Sequence, residues 1–282
     1  MEVSKLFEKL PIKINKFKTI SGGDINKAYF LETIEGNFFI KINQKNLFPK
    51  MLIKEANGLE ALGQTGYIKT PKIINYGEID QFQYLILEWT ERGEAKNKTW
   101  ENFGHALAYM HKIEQPFFGF KEDNYIGSLK QVNTSSSNWG EFYGQYHLIP
   151  LIKKLKEQNK IEKDVVKNVE NLCLKLNEIF PKESPSLLHG DLWAGNYMVS
   201  KQQEILLIDP AVYNGHREID LGMTQLFGGF PSYFYEAYKD VYPLDNNWEE
   251  RLPFSQLYPL LVHSVLFGGY YVDQVKQILK IF

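Results

Sequence analysis

Over the first third of the chain, apolar and polar positions alternate with a period of two, the pattern of strands half buried on a sheet. This predicts strands over residues 16–20, 27–34 and 37–43, with Glu35-Gly36-Asn37 as the tight turn between the last two. In the third strand Phe38, Ile40 and Ile42 share one face, so Lys41 projects from the other beside Phe39 and Asn43. The period then lengthens. Leu52, Ala56, Leu59 and Leu62 fall at helical spacing, and Glu55 borders that stripe within reach of Lys41. After Pro71 and a turn expected at Tyr76-Gly77, a strand over residues 83–89 ends in the polar connector Thr90-Glu91-Arg92-Gly93. A boundary between two lobes is expected there, with residues 1–92 on one side and 93–282 on the other.

Beyond the connector the helical period dominates. It predicts helices over residues 100–113, within 140–158, and over 165–180 behind Asp164 as cap. Pro181 and Pro185 stop the last of these ahead of a loop over residues 188–196. Two short apolar runs, 197–199 and 205–208, frame a hairpin that delivers Asp209, and helices return over 257–267 and 272–281. The expected class is α+β: a small antiparallel-sheet lobe, a larger mainly helical lobe, and a cleft between them.

Composition narrows what that cleft can serve. Hydrophobic residues make up 44% of the 282 positions and aromatics 15%, enough for a solid core and against disorder. A net charge of −2 with interspersed lysines lacks the basic footprint of a nucleic-acid binder. No apolar run reaches the roughly 18 residues of a membrane span, and the start, MEVSKLFEKL, carries no signal-peptide core. Cys173 is the single cysteine, which excludes an intrachain disulfide and fits a reducing, cytoplasmic setting. The six histidines form no metal-binding pair of the H-x-x-H kind, so no transition-metal site is expected.

The stretch with most chemistry is His189-Gly190-Asp191-Leu192-Trp193-Ala194-Gly195-Asn196, followed by Ile208-Asp209-Pro210. Asp191 and Asp209 each have an ordinary reading as turn formers, and Asn196 can hydrogen-bond in any loop. Together their spacing suits phosphoryl transfer: one carboxylate orients a hydroxyl and takes its proton, while an Asn and an Asp bridge magnesium to phosphates. Upstream, Ser21-Gly22-Gly23 reads either as a plain hairpin or as a flap whose N–H groups cover phosphates. Lys41 and Glu55 read either as a salt bridge or as the pair that aims a lysine at the α- and β-phosphates.

In that order along the chain, these features resemble the aminoglycoside-phosphotransferase branch of the protein-kinase-like fold. The segments SGGDINKAYFLET, FGFKEDNYIGSLKQVN, LLHGDLWAGN, IDPAVYNGHREIDLGMTQLFGGF and LYPLLVHSVLFGGYY are similar to those of the fructosamine (ketosamine) kinases, over nearly the whole chain. The resemblance implies ATP-dependent phosphorylation of a sugar hydroxyl on a small or protein-bound ketosamine, and hence a deglycation enzyme. It implies Asp191 as catalytic base and Asn196 and Asp209 as Mg2+ ligands. Gly22, Gly23 and Lys41 would hold phosphates with Glu55 as the partner that orients Lys41, Glu88, Trp89 and Thr90 would hold adenine, and Asp220 would brace the catalytic loop. Trp193, His216, Arg217 and Glu218 would face the acceptor, although Arg217 and Glu218 could equally be a buried pair. Other acceptors on the same fold, an aminoglycoside or choline, and a catalytically silent nucleotide binder are the alternatives; a monomer is favoured.

Departures from the kinase pattern carry their own expectations. Gly190 stands where protein kinases have an arginine, and ten residues separate Asp209 from Asp220, too few for a long activation loop. Pro210 fixes φ and removes an N–H, which disfavours a backbone flip at Asp209. A constitutively competent site follows. Asn214 and His147 replace a tyrosine and an arginine expected in relatives, and Asp24 occupies the region where some relatives have a redox cysteine.

Overall fold

The computed structural model describes residues 3–21 and 25–282; the expected phosphate flap at Gly22 and Gly23 lies outside them. A short helix α1 (Val3–Phe7) precedes β1 (Ile14–Ile20), β2 (Lys27–Thr33) and β3 (Asn37–Gln44). Helix α2 (Met51–Gln64), β4 (Ile73–Ile79) and β5 (Phe82–Glu88) complete a five-stranded antiparallel sheet in the order β1-β2-β3-β5-β4. The alternation in β3 sorts its side chains as expected. Phe38, Ile40 and Ile42 join Leu6, Phe7 and Leu10 on one face, while Leu52, Ala56 and Leu59 of α2 cover Leu85 and Leu87 on the other. Tyr76-Gly77, expected as a turn, lies inside β4, where Gly77 pairs with Tyr84 under its ring. The chain reverses instead at Asp80, whose φ is +52°.

The helical part begins with α3 (Asn97–His111) and a hairpin of β6 (Asn124–Ile126) and β7 (Leu129–Gln131). The helix expected within 140–158 is compound: α4 (Trp139–Glu141), a π-helical stretch Phe142–Leu148, then α5 (Ile149–Glu157). Pro150 cannot send an N–H to the carbonyl four residues back, and the ladder ahead of it widens, with Ile149 N–H reaching Gly144. Helix α6 (Lys163–Ile179) is preceded by Glu162, so Asp164 sits in the first turn instead of capping it. An acid there still complements the helix dipole.

Two strand pairs then carry the chemistry. β8 (Ser186–Leu188) pairs with β11 (Tyr213–Gly215), and β9 (Tyr197–Val199) with β10 (Ile205–Leu207). Helices α7 (Glu218–Leu226), α8 (Ser232–Val241), α9 (Trp248–Ser255), α10 (Leu257–Leu266) and α11 (Tyr270–Leu279) close the fold. Of these, the sequence pattern gave only the last two, and α11 starts earlier than the expected residue 272. The connector after β5 is pinned to the β9–β10 hairpin, with Gly93 N–H donating to Val199 and Lys201 N–H to Glu91.

Two features of this packing have measurable consequences. At Gly104, in the middle of α3, a Cβ would overlap the Phe234 carbonyl oxygen of α8. Gly104→Ala should therefore lower stability by about 1–3 kcal/mol in denaturant unfolding, although alanine favours a helix. An unchanged midpoint would contradict so close an approach. In the π-helical stretch His147 is fully buried, stacked on Tyr258 at 4.3 Å, and neither ring nitrogen has a partner among the described residues. Burial holds its pKa down at about 3. Between pH 6.5 and 3 the unfolded chain then binds a proton that the native state refuses, so stability falls as pH falls through that window. The thermal midpoint of His147→Phe should drop less than that of the unsubstituted protein between pH 6.5 and 4; parallel curves would contradict this.

Candidate active site

Lys41 reaches the cleft because strand alternation turns it away from the apolar face that buries Phe38, Ile40 and Ile42. Its ammonium donates to Glu55 Oε1 at 2.8 Å and also meets Asp209 Oδ1. Three segments therefore converge on one nitrogen: β3, α2 and the residue that follows the β9–β10 hairpin. Burial alone would lower the Lys41 pKa, but the two carboxylates raise it, so the ammonium stays charged. Burial pushes the Glu55 carboxyl up against the pull of Lys41. Desolvation would push Asp209 up too, yet the Lys41 charge and hydrogen bond hold it below its ordinary value. The Asp209 side chain remains 44% exposed to the cleft, from a backbone held at φ +53°.

The loop carrying Asp191 is fixed from beneath. Both oxygens of buried Asp220 accept main-chain N–H groups, from His189 at 2.7 Å and Gly190 at 2.9 Å, as the expected brace requires. His189 accepts the Asp191 N–H on Nδ1 at 3.2 Å, so its Nε2 carries the proton given to the Ile208 carbonyl at 3.0 Å. One neutral imidazole thus ties the loop to the segment delivering Asp209. Gly190 has φ +83°, and a Cβ there would overlap the Ala211 carbonyl oxygen. The glycine that departs from the protein-kinase pattern is required by this contact.

Asn196 donates from Nδ2 to both the Asp191 carbonyl and its Oδ2, each at 2.8 Å. With Nδ2 so committed, Oδ1 turns the other way. Asp191 itself is raised to about 7: burial is the main cause, Asn196 opposes it, and Asp209 and Asp220 add to it. A carboxylate so placed can accept a proton near neutrality. Asp209 and the Asn196 amide offer hard oxygen donors of the kind that suit magnesium shared with phosphate and water. Among the described residues no cluster of three or more His, Cys, Asp or Glu could hold a metal on its own.

Two cavities meet at this cluster. The larger, about 410 Å³, is walled by Ile20, Ala28, Phe39, Leu87, Met198 and Ile208, with Glu88, Trp89 and Thr90 at its edge. The smaller, about 230 Å³, holds Asp191, Glu55, Lys54, His263 and Phe267. Both are lined by Asn26, Lys41, Trp193, Asn196 and Asp209. At the edge, the N–H groups of Glu88 and Trp89 are donated to the carbonyls of Lys72 and Asn37. The Thr90 N–H has no protein acceptor among the described residues.

The structure does not bring His216, Arg217 and Glu218 to either cavity, which corrects their expected place beside the acceptor. Arg217 is 2% exposed and forks onto Glu183 at 2.8 and 2.7 Å, stacking on Tyr242 at 3.5 Å. Glu218 pairs with Arg251 at 2.6 Å. His216 lies against Trp139 and Phe180 with Nε2 at 3.2 Å from the Pro181 carbonyl. Buried charges need partners, and these find them behind the catalytic loop, though not in each other. Sequence reasoning missed Lys54, His263 and Phe267. The signal available was the helical period after Leu257, which places His263 and Phe267 one turn apart.

The fructosamine kinase family model matches residues 2–282. The chain is 37% identical over 276 residues to a candidate ketoamine kinase of Enterococcus faecium, covering 96% of this chain and 97% of that one. It is 37% identical over 272 residues to the chloroplastic protein-ribulosamine 3-kinase of Arabidopsis thaliana, covering 95% and 82%. The solved structure of a candidate fructosamine-3-kinase from Thermobifida fusca superposes with a TM-score of 0.87 at 31% identity, covering 99% of this chain and 98% of that one. The two-lobed protein-kinase-like fold is shared with that solved structure, and by family model, sequence and structure alike this chain belongs to the fructosamine kinase family.

Proposed function

We propose that this protein transfers the terminal phosphate of ATP to a sugar hydroxyl of a ketosamine. The observation that carries the reading is the pair of cavities. Asp191 lines only the smaller, Glu88-Trp89-Thr90 at the end of β5 only the larger, and Lys41, Asn196 and Asp209 form the wall they share. In this reading residues 1–92 hold most of the nucleotide and residues 93–282 supply the catalytic loop and acceptor site.

The apolar walls of the larger cavity take adenine, and the Thr90 N–H is the edge donor left free for it. Lys41, aimed by Glu55, meets the α- and β-phosphates. Asn196 Oδ1 and Asp209 would hold magnesium, which neutralises charge on the phosphates when bound. In the smaller cavity Asp191 orients the acceptor hydroxyl and takes its proton as the oxygen–phosphorus bond forms and the bond to the β-phosphate oxygen breaks. Trp193, on the shared wall, packs against the sugar. Positioning and electrostatics supply most of the rate.

Such a product is the activated form of a glycated amine, so the role we assign is deglycation in the cytoplasm. No helix among the described residues is long and apolar enough to cross a membrane. Coupled ADP release with MgATP should rise with fructosamine or ribulosamine and stay at background with kanamycin or choline. Activity confined to kanamycin or choline would move the acceptor class; nucleotide binding with no transfer to any of these would favour a silent binder.

A further inference from the structure

The smaller cavity continues past its reacting groups along an aromatic wall. Trp193, His263 and Phe267 line it. Trp193 meets Phe227 edge-on at 5.6 Å, Phe227 lies 4.9 Å from His263, and His263 lies 5.0 Å from Tyr271, which is 6.4 Å from Tyr270. Phe267 is 61% exposed and Tyr270 71% exposed, so the strip of rings begins inside the cavity and runs out onto the surface. Single exposed aromatics need no explanation, but a strip continuous with a cavity marks a binding surface.

The sequence builds this rim twice over. Leu-Phe-Gly-Gly occurs at 226–229 and again at 266–269. Each copy ends a helix, α7 and α10, with both glycines at positive φ. Two helix ends thereby deliver both phenyl rings to His263, Phe227 at 4.9 Å and Phe267 at 5.6 Å.

The cavity's volume of about 230 Å³ is below the roughly 300–1,000 Å³ of pockets that engulf a drug-sized ligand. It suits the sugar and leaves the amine side of the acceptor at the mouth. A ketosamine nitrogen is a secondary amine, protonated near neutrality, and ring faces attract such a cation together with its apolar substituent. We propose that Phe267, Tyr270 and Tyr271 form the subsite for the amine side of the acceptor, and that the protein prefers ketosamines of bulky apolar or aromatic amines to those of small ones. The inference rests on the ketosamine-kinase reading above.

The test compares kcat/KM for two ketosamines of the same sugar, one made on benzylamine and one on methylamine. The unsubstituted protein should favour the benzylamine derivative by about 3- to 10-fold, expressed mainly in KM. Phe267→Ser and Tyr270→Ser should each shrink that preference and the double variant should erase it, while Phe267→Trp keeps it. Thermal midpoints of the variants check that they are folded. Equal use of both acceptors by the unsubstituted protein, or a preference that survives in the double variant, overturns the subsite while leaving the kinase reading intact. Turnover of neither acceptor overturns both.

Discussion

The structure turns on the buried ammonium of Lys41, held by Glu55 from one side and Asp209 from the other. Removing charges from water costs several kcal/mol per ion, and a buried pair often does no better than apolar residues of equal size. Its value here is geometric. One nitrogen fixes the sheet, the helix on its back and the loop from the other lobe in a single arrangement. The helix that carries Glu55 is held by more than this charge. Asn57 donates to Glu122 at 2.6 Å, Lys54 to the Asp123 carbonyl, and the Tyr125 hydroxyl to the Pro49 carbonyl at 3.1 Å, while Gly58 packs against Pro210 and Val212. The hairpin β6–β7 and the segment after Asp209 therefore clamp α2 onto the larger lobe.

Beneath that junction a buried polar network supports the same segment. Asn124 donates to the Val212 carbonyl at 2.7 Å, and Gln131, itself bonded by the Tyr258 hydroxyl, donates to the Ala211 carbonyl at 2.9 Å. Asp220 and His189 do the same for the catalytic loop. With ten residues between Asp209 and Asp220, a proline after Asp209, and partners on every side, the segment has little freedom to switch. A site assembled in advance by packing and hydrogen bonds is what catalysis by positioning requires.

The parts of this arrangement legible in the sequence are those governed by local periodicity. Alternation in β3 placed Lys41 opposite the apolar face, helical spacing put Glu55 at the edge of its stripe, and the loop and hairpin after Pro185 brought Asp191, Asn196 and Asp209 together. What local pattern could not show depends on partners far along the chain. Arg217 finds Glu183 34 residues away and Glu218 finds Arg251 33 residues away, so the same charged run could read as an acceptor site. The π-helical stretch before Pro150 keeps a helical period, which hides the altered hydrogen bonding. Helices α7, α8 and α9 are only nine, ten and eight residues long, and α7 is buried over nearly its whole length, acids included, so no polar face marks its helical period.

The central claim is that Asp191 takes the proton of a ketosamine hydroxyl as phosphate is transferred. It is tested most directly by following, by mass spectrometry, single-phosphate addition to a ribulosamine with MgATP, for the unsubstituted protein and for Asp191→Asn, with MgADP binding measured in parallel by calorimetry. The account predicts phosphorylated product with the unsubstituted protein, and a rate lower by about 10² to 10⁴ with Asp191→Asn while nucleotide affinity is kept. Phosphorylation by Asp191→Asn at the unsubstituted rate would contradict it.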